Sequence, residues 1–289
     1  KAKPAKKWKT DSTLHMGDQN QLKVKRLATV DDRILADFTW DSALSWAEIL
    51  ADIGAVPLPP YFNRPADEMD DGRYQTVFAS VEGSVAAPTA GLHFSEELMG
   101  NLTGAQLHRL TLHVGAGTFM PVSSETMEGH PMHAETFVMP VESLLALTDG
   151  QPIIAIGTTA ARTLESIYWM GVDLMQTGQA SLDLEQWRPY QQAGNQPSMK
   201  DSYQALAQWA KNQQLSHVSG RTALIIAPPY RFKTLSYLMT NFHQPQSTLL
   251  LLVAAAIGPQ WASFYQEAMQ HGYRFLSYGD SQFLEVNRR

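Results

Sequence analysis

Short apolar runs with strand character, LTLHV at 110–114, PIIAIG at 152–157 and TALIIA at 222–227, alternate with helical stretches near 96–107, 160–170, 248–257 and 260–271. This alternation constrains the fold more than any other feature, because such strands bury their faces against helices and so build an α/β layer domain. At the ends of the runs the composition changes. VAAPTAGLHF (85–94), LHVGAGTF (112–119), IGTTAARTLES (156–166) and TNFHQPQSTLLLLV (240–253) each set Gly, Thr, Pro or His between an apolar run and a helix start. Those junctions are where α/β enzymes hold ligands.

With 289 residues, 44% hydrophobic and 17% charged, the chain is long enough to bury a sizeable core in one or two domains. It has no cysteine, which removes disulfides, thiolate metal sites, cysteine-held iron–sulfur clusters and a cysteine nucleophile. The longest strongly apolar run, Leu249 to Ile257, is shorter than the roughly 18 residues of a membrane span and reads as a buried helix. No signal-peptide core follows the first residue, so a cytoplasmic location and no membrane partner are expected. The net charge of −6 argues against indiscriminate coating of nucleic acid. Residues 1–33 nevertheless hold nine Lys or Arg against four Asp, and a run such as KAKPAKKWK could contact RNA phosphates, although a solvated face or frayed end explains such a run more often.

From Gln21 to Trp40 apolar and polar residues alternate around an Asp-Asp turn, which predicts a β-hairpin. The period then changes to a helical one ending at Gly54, with Asp41 or Ser42 as cap, and the domain boundary is drawn near residue 41: residues 1–40, then 41–289. The Gln-, Ser- and Ala-rich stretch 172–220, with a helical pattern at Tyr203 to Asn212, reads as an insertion or lid-like excursion.

The junctions supply the candidate site. Pro88 and Gly91 set a turn, and Ser95 can cap a helix opening with Glu96 and Glu97, which places His93 beside a helix start. His113 falls on a strand followed by Gly115 and Gly117; the third glycine of a dinucleotide fingerprint is missing and Thr118 to Pro121 open no helix. HPMHAETF gathers His130, His133 and Glu135 within six residues, so a divalent metal site has to be weighed, although this is not the HExxH pattern. In PIIAIGTTAARTLES, Thr158 or Thr159 is the expected cap and Arg162 is expected to face Glu165. Asn241 and His243 precede a very apolar helix capped by Ser247, so the histidine should be partly desolvated and tuned for proton transfer. Tyr74, Tyr230 and Arg231 could stack on a splayed base or hold phosphate, or be packed side chains.

These strings, together with RYQTVFA before them and RFLSYGD near the end, resemble the S-adenosylmethionine:tRNA ribosyltransferase-isomerases of queuosine biosynthesis, from about Pro57 to Asp280 outside the divergent stretch. The resemblance implies a layered α/β main domain with a mixed sheet, plus the remnant of a small β-barrel domain in residues 1–40. It also implies that an N-terminal segment of the family is lacking here. It implies transfer and isomerisation of the ribosyl part of S-adenosylmethionine, a consumed cosubstrate with no tightly bound cofactor and no metal. The acceptor is the 7-aminomethyl-7-deazaguanine at the wobble position of tRNA, epoxyqueuosine is the product, and a monomer is expected. On the matching motifs, His93, His113, His133, Glu135 and His243 are the catalytic candidates. Tyr74, Gln75, Thr76, Pro88, Thr89, Gly91, Gly115, Gly117, Thr118, Thr158, Thr159, Arg162, Tyr230, Arg231, Asn241, Ser247 and Thr248 are the substrate-binding ones. The chain departs from the family pattern at Pro228-Pro229, where Pro-Gly is common, and at Gln246, where a charged residue often follows the proline. Two other readings stand beside this one: a noncatalytic tRNA- or nucleoside-binding relative, and a metal-dependent hydrolase built on His130, His133 and Glu135.

Overall fold

The computed structural model describes residues 7–17, 22–30, 33–40, 43–80, 84–115, 124, 126–191 and 196–287. They form two compact units, Lys1–Val56 and Pro57–Arg289.

In the first unit, β1 (Thr13–Met16), β2 (Leu22–Val30) and β3 (Arg33–Trp40) make a three-stranded antiparallel sheet with β2 in the middle. The expected hairpin is therefore present. The alternation of β2 turns Leu22 and Val24 to one side, where α1 (Trp46–Ile53) covers them with Ile49 and Ile53. Because α1 packs on this sheet, the division falls after Val56 and not near residue 41. Asp41 and Ser42 lie outside the described residues, and the helix cap is Ser45, whose hydroxyl accepts from the Glu48 amide while the Glu48 carboxylate accepts from Ser45 N. The described residues of this unit form an open sheet with one helix, not a closed barrel.

The second unit runs α2 (Glu68–Arg73), α3 (Glu96–Asn101), β4 (Thr111–His113), β5 (Glu135–Pro140), α4 (Val141–Ala146), β6 (Ile154–Ile156), α5 (Thr158–Thr177), β7 (Asp183–Leu184), α6 (Met199–Asn212), β8 (His217–Thr222), β9 (Tyr237–Asn241), α7 (Thr248–Ile257), α8 (Trp261–Gln270) and β10 (Ser281–Glu285). Its strands form two mixed sheets, β4-β5-β8-β7 and β10-β9-β6. Pairing is antiparallel except for β6 with β9 and β7 with β8. This is a layered α/β arrangement, as expected from the alternation. Of the TALIIA run only Thr222 belongs to β8; Ala223 to Ala227 follow the strand and are not part of it.

Helix α5 is the spine of the core. Thirteen of its twenty residues are buried, including Ile167, Tyr168, Trp169 and Met170. Glu165, fully buried, accepts from Tyr230 Oη at 2.6 Å, Thr234 Oγ1 at 2.6 Å and the amides of Lys233 and Thr234, both at 2.9 Å. A buried carboxylate is tolerated only with such a full set of donors. Helix α6 packs across α5 with Tyr203, Leu206, Ala207 and Ala210 fully buried, and β7 and β8 are strands of the larger sheet. Within 172–220 the described elements α6, β7 and β8 are thus parts of the core and its sheet, not a lid. Helices α7 and α8 together span 23 residues, apolar enough by composition to cross a membrane. A turn at Gly258–Gln260 separates them, and Leu252 to Ala256 are buried in the core.

The α5–α6 crossing depends on Gly171, where an added Cβ would run into the carbonyl of Ser202. Gly171→Ala should force the helices apart and cost about 2–3 kcal/mol. The check is a lowered urea midpoint with an unchanged slope.

Candidate functional site

Parallel pairing of β6 with β9 brings their carboxyl ends side by side, Ile156 opposite Met239. Beyond them the chain enters α5 through Gly157 and α7 through the polar stretch 241–247, and a cleft opens there. Gly157 has φ 94°, a conformation that disfavours any side chain. It bonds its amide to Met239 O and is the N-cap of α5, with no side-chain cap; Thr158 and Thr159 are the first helical residues and not the cap. Helix α7 starts as expected, with Ser247 Oγ accepting from Leu250 N at 3.2 Å.

A single turn of 3₁₀ helix, Thr89–His93, lies against β9. Asn241 ties it down: its Oδ1 accepts from Thr89 Oγ1 at 3.2 Å, and its Nδ2 donates to His93 Nε2 at 3.0 Å. In this arrangement the His93 ring carries its hydrogen on Nδ1. Burial pushes the His93 pKa down, against the pull of Asp280. His243 is buried, with Nε2 3.0 Å from Thr240 Oγ1, and burial pushes its pKa down to about 4. Both imidazoles are held neutral at pH 7.

Also in the lining, Glu135 is the first residue of β5 and pairs with Arg162, one turn into α5. Both are buried, so removing either partner would leave an uncompensated charge, at about 3–5 kcal/mol. The expected Arg162–Glu165 surface pair does not form. Helix α5 is buried around both residues, and each finds its own partner off the helix, Glu165 in the segment 230–234.

Pro88, Thr89, His133, Glu135, Thr158, Thr159, Arg162, Asn241, His243, Ser247 and Thr248 all line the cleft. His93 stands behind Asn241. Gly91 is support, since a Cβ there would strike Thr76 and Phe78. Tyr74 is buried against Phe62 and Tyr278, and Gln75 caps the Thr76 amide, so this string backs the site without lining it. His113 sits half-buried on β4 opposite Thr136, away from the cleft lining, as does exposed Gly115. Gly117 and Thr118 lie outside the described residues. Tyr230 is a core residue, accepting from Trp169 Nε1 and donating to Glu165, and Arg231 is exposed; neither lines the cleft. Among the described residues no three His, Asp or Glu side chains cluster as metal ligands, and Glu135 is engaged by Arg162.

Sequence reasoning missed Tyr61, Thr240, Ser277 and the backbone run Leu224 to Ile226, all in the lining. Thr240 and Ser277 belong to the strings TNFH and RFLSYGD, and that was the available signal. Tyr61, hydrogen-bonded to Ser277, has no local signal. It is brought in by a strut in which Asp70 takes both arms of Arg64, at 2.6 and 3.0 Å, and the Tyr278 hydroxyl at 3.0 Å.

An α/β fold with a largely apolar cleft that carries a few convergent polar groups at the carboxyl ends of adjacent parallel strands has the form of a small-ligand-binding site. The family model described as queuosine biosynthesis protein matches residues 1–284, and the chain belongs to that family. A curated S-adenosylmethionine:tRNA ribosyltransferase-isomerase of Aromatoleum aromaticum is 39% identical over 244 residues, 82% of this chain and 59% of that protein. The chain therefore spans 59% of the length of that relative. The crystal structure of an S-adenosylmethionine tRNA ribosyltransferase from Thermotoga maritima is similar with a TM-score of 0.42 and 25% identity, over 97% of this chain and 67% of that one.

The histidines set a pH dependence. Below about pH 6.5 the unfolded chain protonates His243 while the native state does not until about pH 4. The unfolded state then binds more protons, and stability falls as pH is lowered through that window, by about 3 kcal/mol in all. His93 acts in the same direction. Urea midpoints between pH 7.5 and 4 should fall steeply in the parent and much less in His243→Gln.

Proposed function

We propose that the chain transfers and isomerises the ribosyl moiety of S-adenosylmethionine onto 7-aminomethyl-7-deazaguanine at the tRNA wobble position. Adenine and methionine leave and epoxyqueuosine remains in the RNA. S-adenosylmethionine is consumed as a cosubstrate, and the same reading makes the protein a cytoplasmic monomer. Family membership supports this, and the observation that carries it is the meeting of Thr89, His93, Asn241 and His243 at the carboxyl ends of β6 and β9.

The reaction requires a neutral amine nucleophile, loss of a proton beside the sulfonium, and a proton for departing adenine. Histidines suit such transfers. His243 lines the cleft and is kept neutral by burial, so its ring is a polar, uncharged group there, and it takes up a proton only where a developing charge in the cleft draws its pKa back up. His93 is oriented by Asn241, and His133 lines the same cleft. The helix starts of α5 and α7 present backbone amides to the same space.

The test is incubation with S-adenosylmethionine and tRNA bearing the aminomethyl base, measuring adenine and the modified nucleoside together. Both products are expected. Tight tRNA binding with neither product would favour the noncatalytic binder instead. His243→Ala should lower kcat for adenine release by about 100-fold or more. Asn241→Ala should lower it about tenfold by freeing His93 and Thr89.

A further inference from the structure

We infer that the cleft holds an oxyanion of its ligand at the start of α5, on the amides of Thr158, Thr159 and Ala160 and on side-chain N–H groups of Arg162 and His130. The ligand's identity rests on the ribosyl-transfer reading; the subsite itself does not.

The first amides of a helix have no acceptor within it. At α5 they also lack a side-chain cap, because the N-cap is Gly157, and no acidic residue stands in the first turn to compete for the positive end. Thr158, Thr159 and Ala160 all line the cleft. Two side chains in the same lining carry an independent sign of a missing partner. Arg162 spends one nitrogen on Glu135, yet its buried Nε has no hydrogen-bond partner. His130, 9% exposed, has a buried Nδ1 without a partner. The Arg162 Nε–H is a buried donor left unmade, and His130 Nδ1 is a second in the tautomer that carries its hydrogen there; such a donor is costly, and a ligand oxygen can recover that cost.

His130 is not adrift. Gln186 Nε2 donates to His130 O at 2.7 Å while Gln186 Oε1 accepts from Met132 N at 2.9 Å, so the loop segment that carries the ring is held on either side of Pro131. Since Glu135 balances the Arg162 charge, the subsite draws an anion through directed N–H groups and the helix end and not through net charge. A carboxylate or a phosphate meets that description: the methionyl carboxylate of S-adenosylmethionine, or a phosphate of the RNA.

The test compares the parent chain with His130→Gln and Arg162→Lys, the latter keeping a cation for Glu135 but lacking Nε. Calorimetry measures binding of S-adenosylmethionine, its decarboxylated analogue and an anticodon stem–loop. Should both variants bind S-adenosylmethionine about tenfold or more weakly and the decarboxylated analogue as the parent does, the carboxylate is the occupant. Weaker stem–loop binding with S-adenosylmethionine unchanged assigns a phosphate. Unchanged binding of both ligands, or equal loss with the decarboxylated analogue, overturns the subsite. If Arg162→Lys does not fold, His130→Gln decides. A parent that binds neither ligand removes the ribosyl-transfer reading. Inorganic phosphate then decides the subsite: a rise in the parent's Tm that both variants lose supports it, and no rise or an equal one in all three overturns it.

Discussion

Glu135 and Arg162 meet out of water, one on the four-stranded sheet and the other one turn into the helix that leaves the three-stranded sheet. A buried charge cannot be left without its partner, so this pair restricts how the two sheets and α5 can come together. The same helix face continues the restriction one turn on. Glu165 gathers the segment 230–234, and Ser166 Oγ lies 2.6 Å from Thr222 Oγ1 at the end of β8. Apolar packing around α5 supplies the bulk of the burial, while these polar contacts select one arrangement of it.

That arrangement puts the open end of the parallel β6–β9 pair beside two helix starts and two neutral histidines. Electrostatically the cleft is low in net charge and rich in directed donors. Such a site suits a ligand that carries several polar groups and must lose its water before reacting. The aromatic and acidic strut around Asp70 lies behind, and it carries Tyr61 to the cleft without exposing a charge there.

Local chemistry was legible where a short pattern has one physical solution. Ser95 and Ser247 cap their helices because a hydroxyl before an exposed amide does so in any context, and Leu249 to Ile257 is a helix that goes inside because nothing in it can face water. Misreadings arose where a long-range partner outweighed the local one. Arg162 passed over Glu165 for a residue on another strand, and Tyr230 turned inward to that same Glu165. Gly157, with no side chain to cap, displaced the two threonines. The stretch 172–220 looked polar and optional, yet every fourth or third residue of α6 is buried against α5.

By itself the sequence determined the α/β class, the helix starts, and the strings from which the site is assembled, because these depend on side-chain periodicity and on backbone groups near in the chain. Only the tertiary structure decided which strings meet. Thr89, Asn241 and His93 become one unit, and His130 acquires a buried, unpartnered nitrogen, through contacts between residues far apart in the chain. Burial is a property of the assembled core, and it is burial that keeps His243 neutral and requires a partner for Arg162.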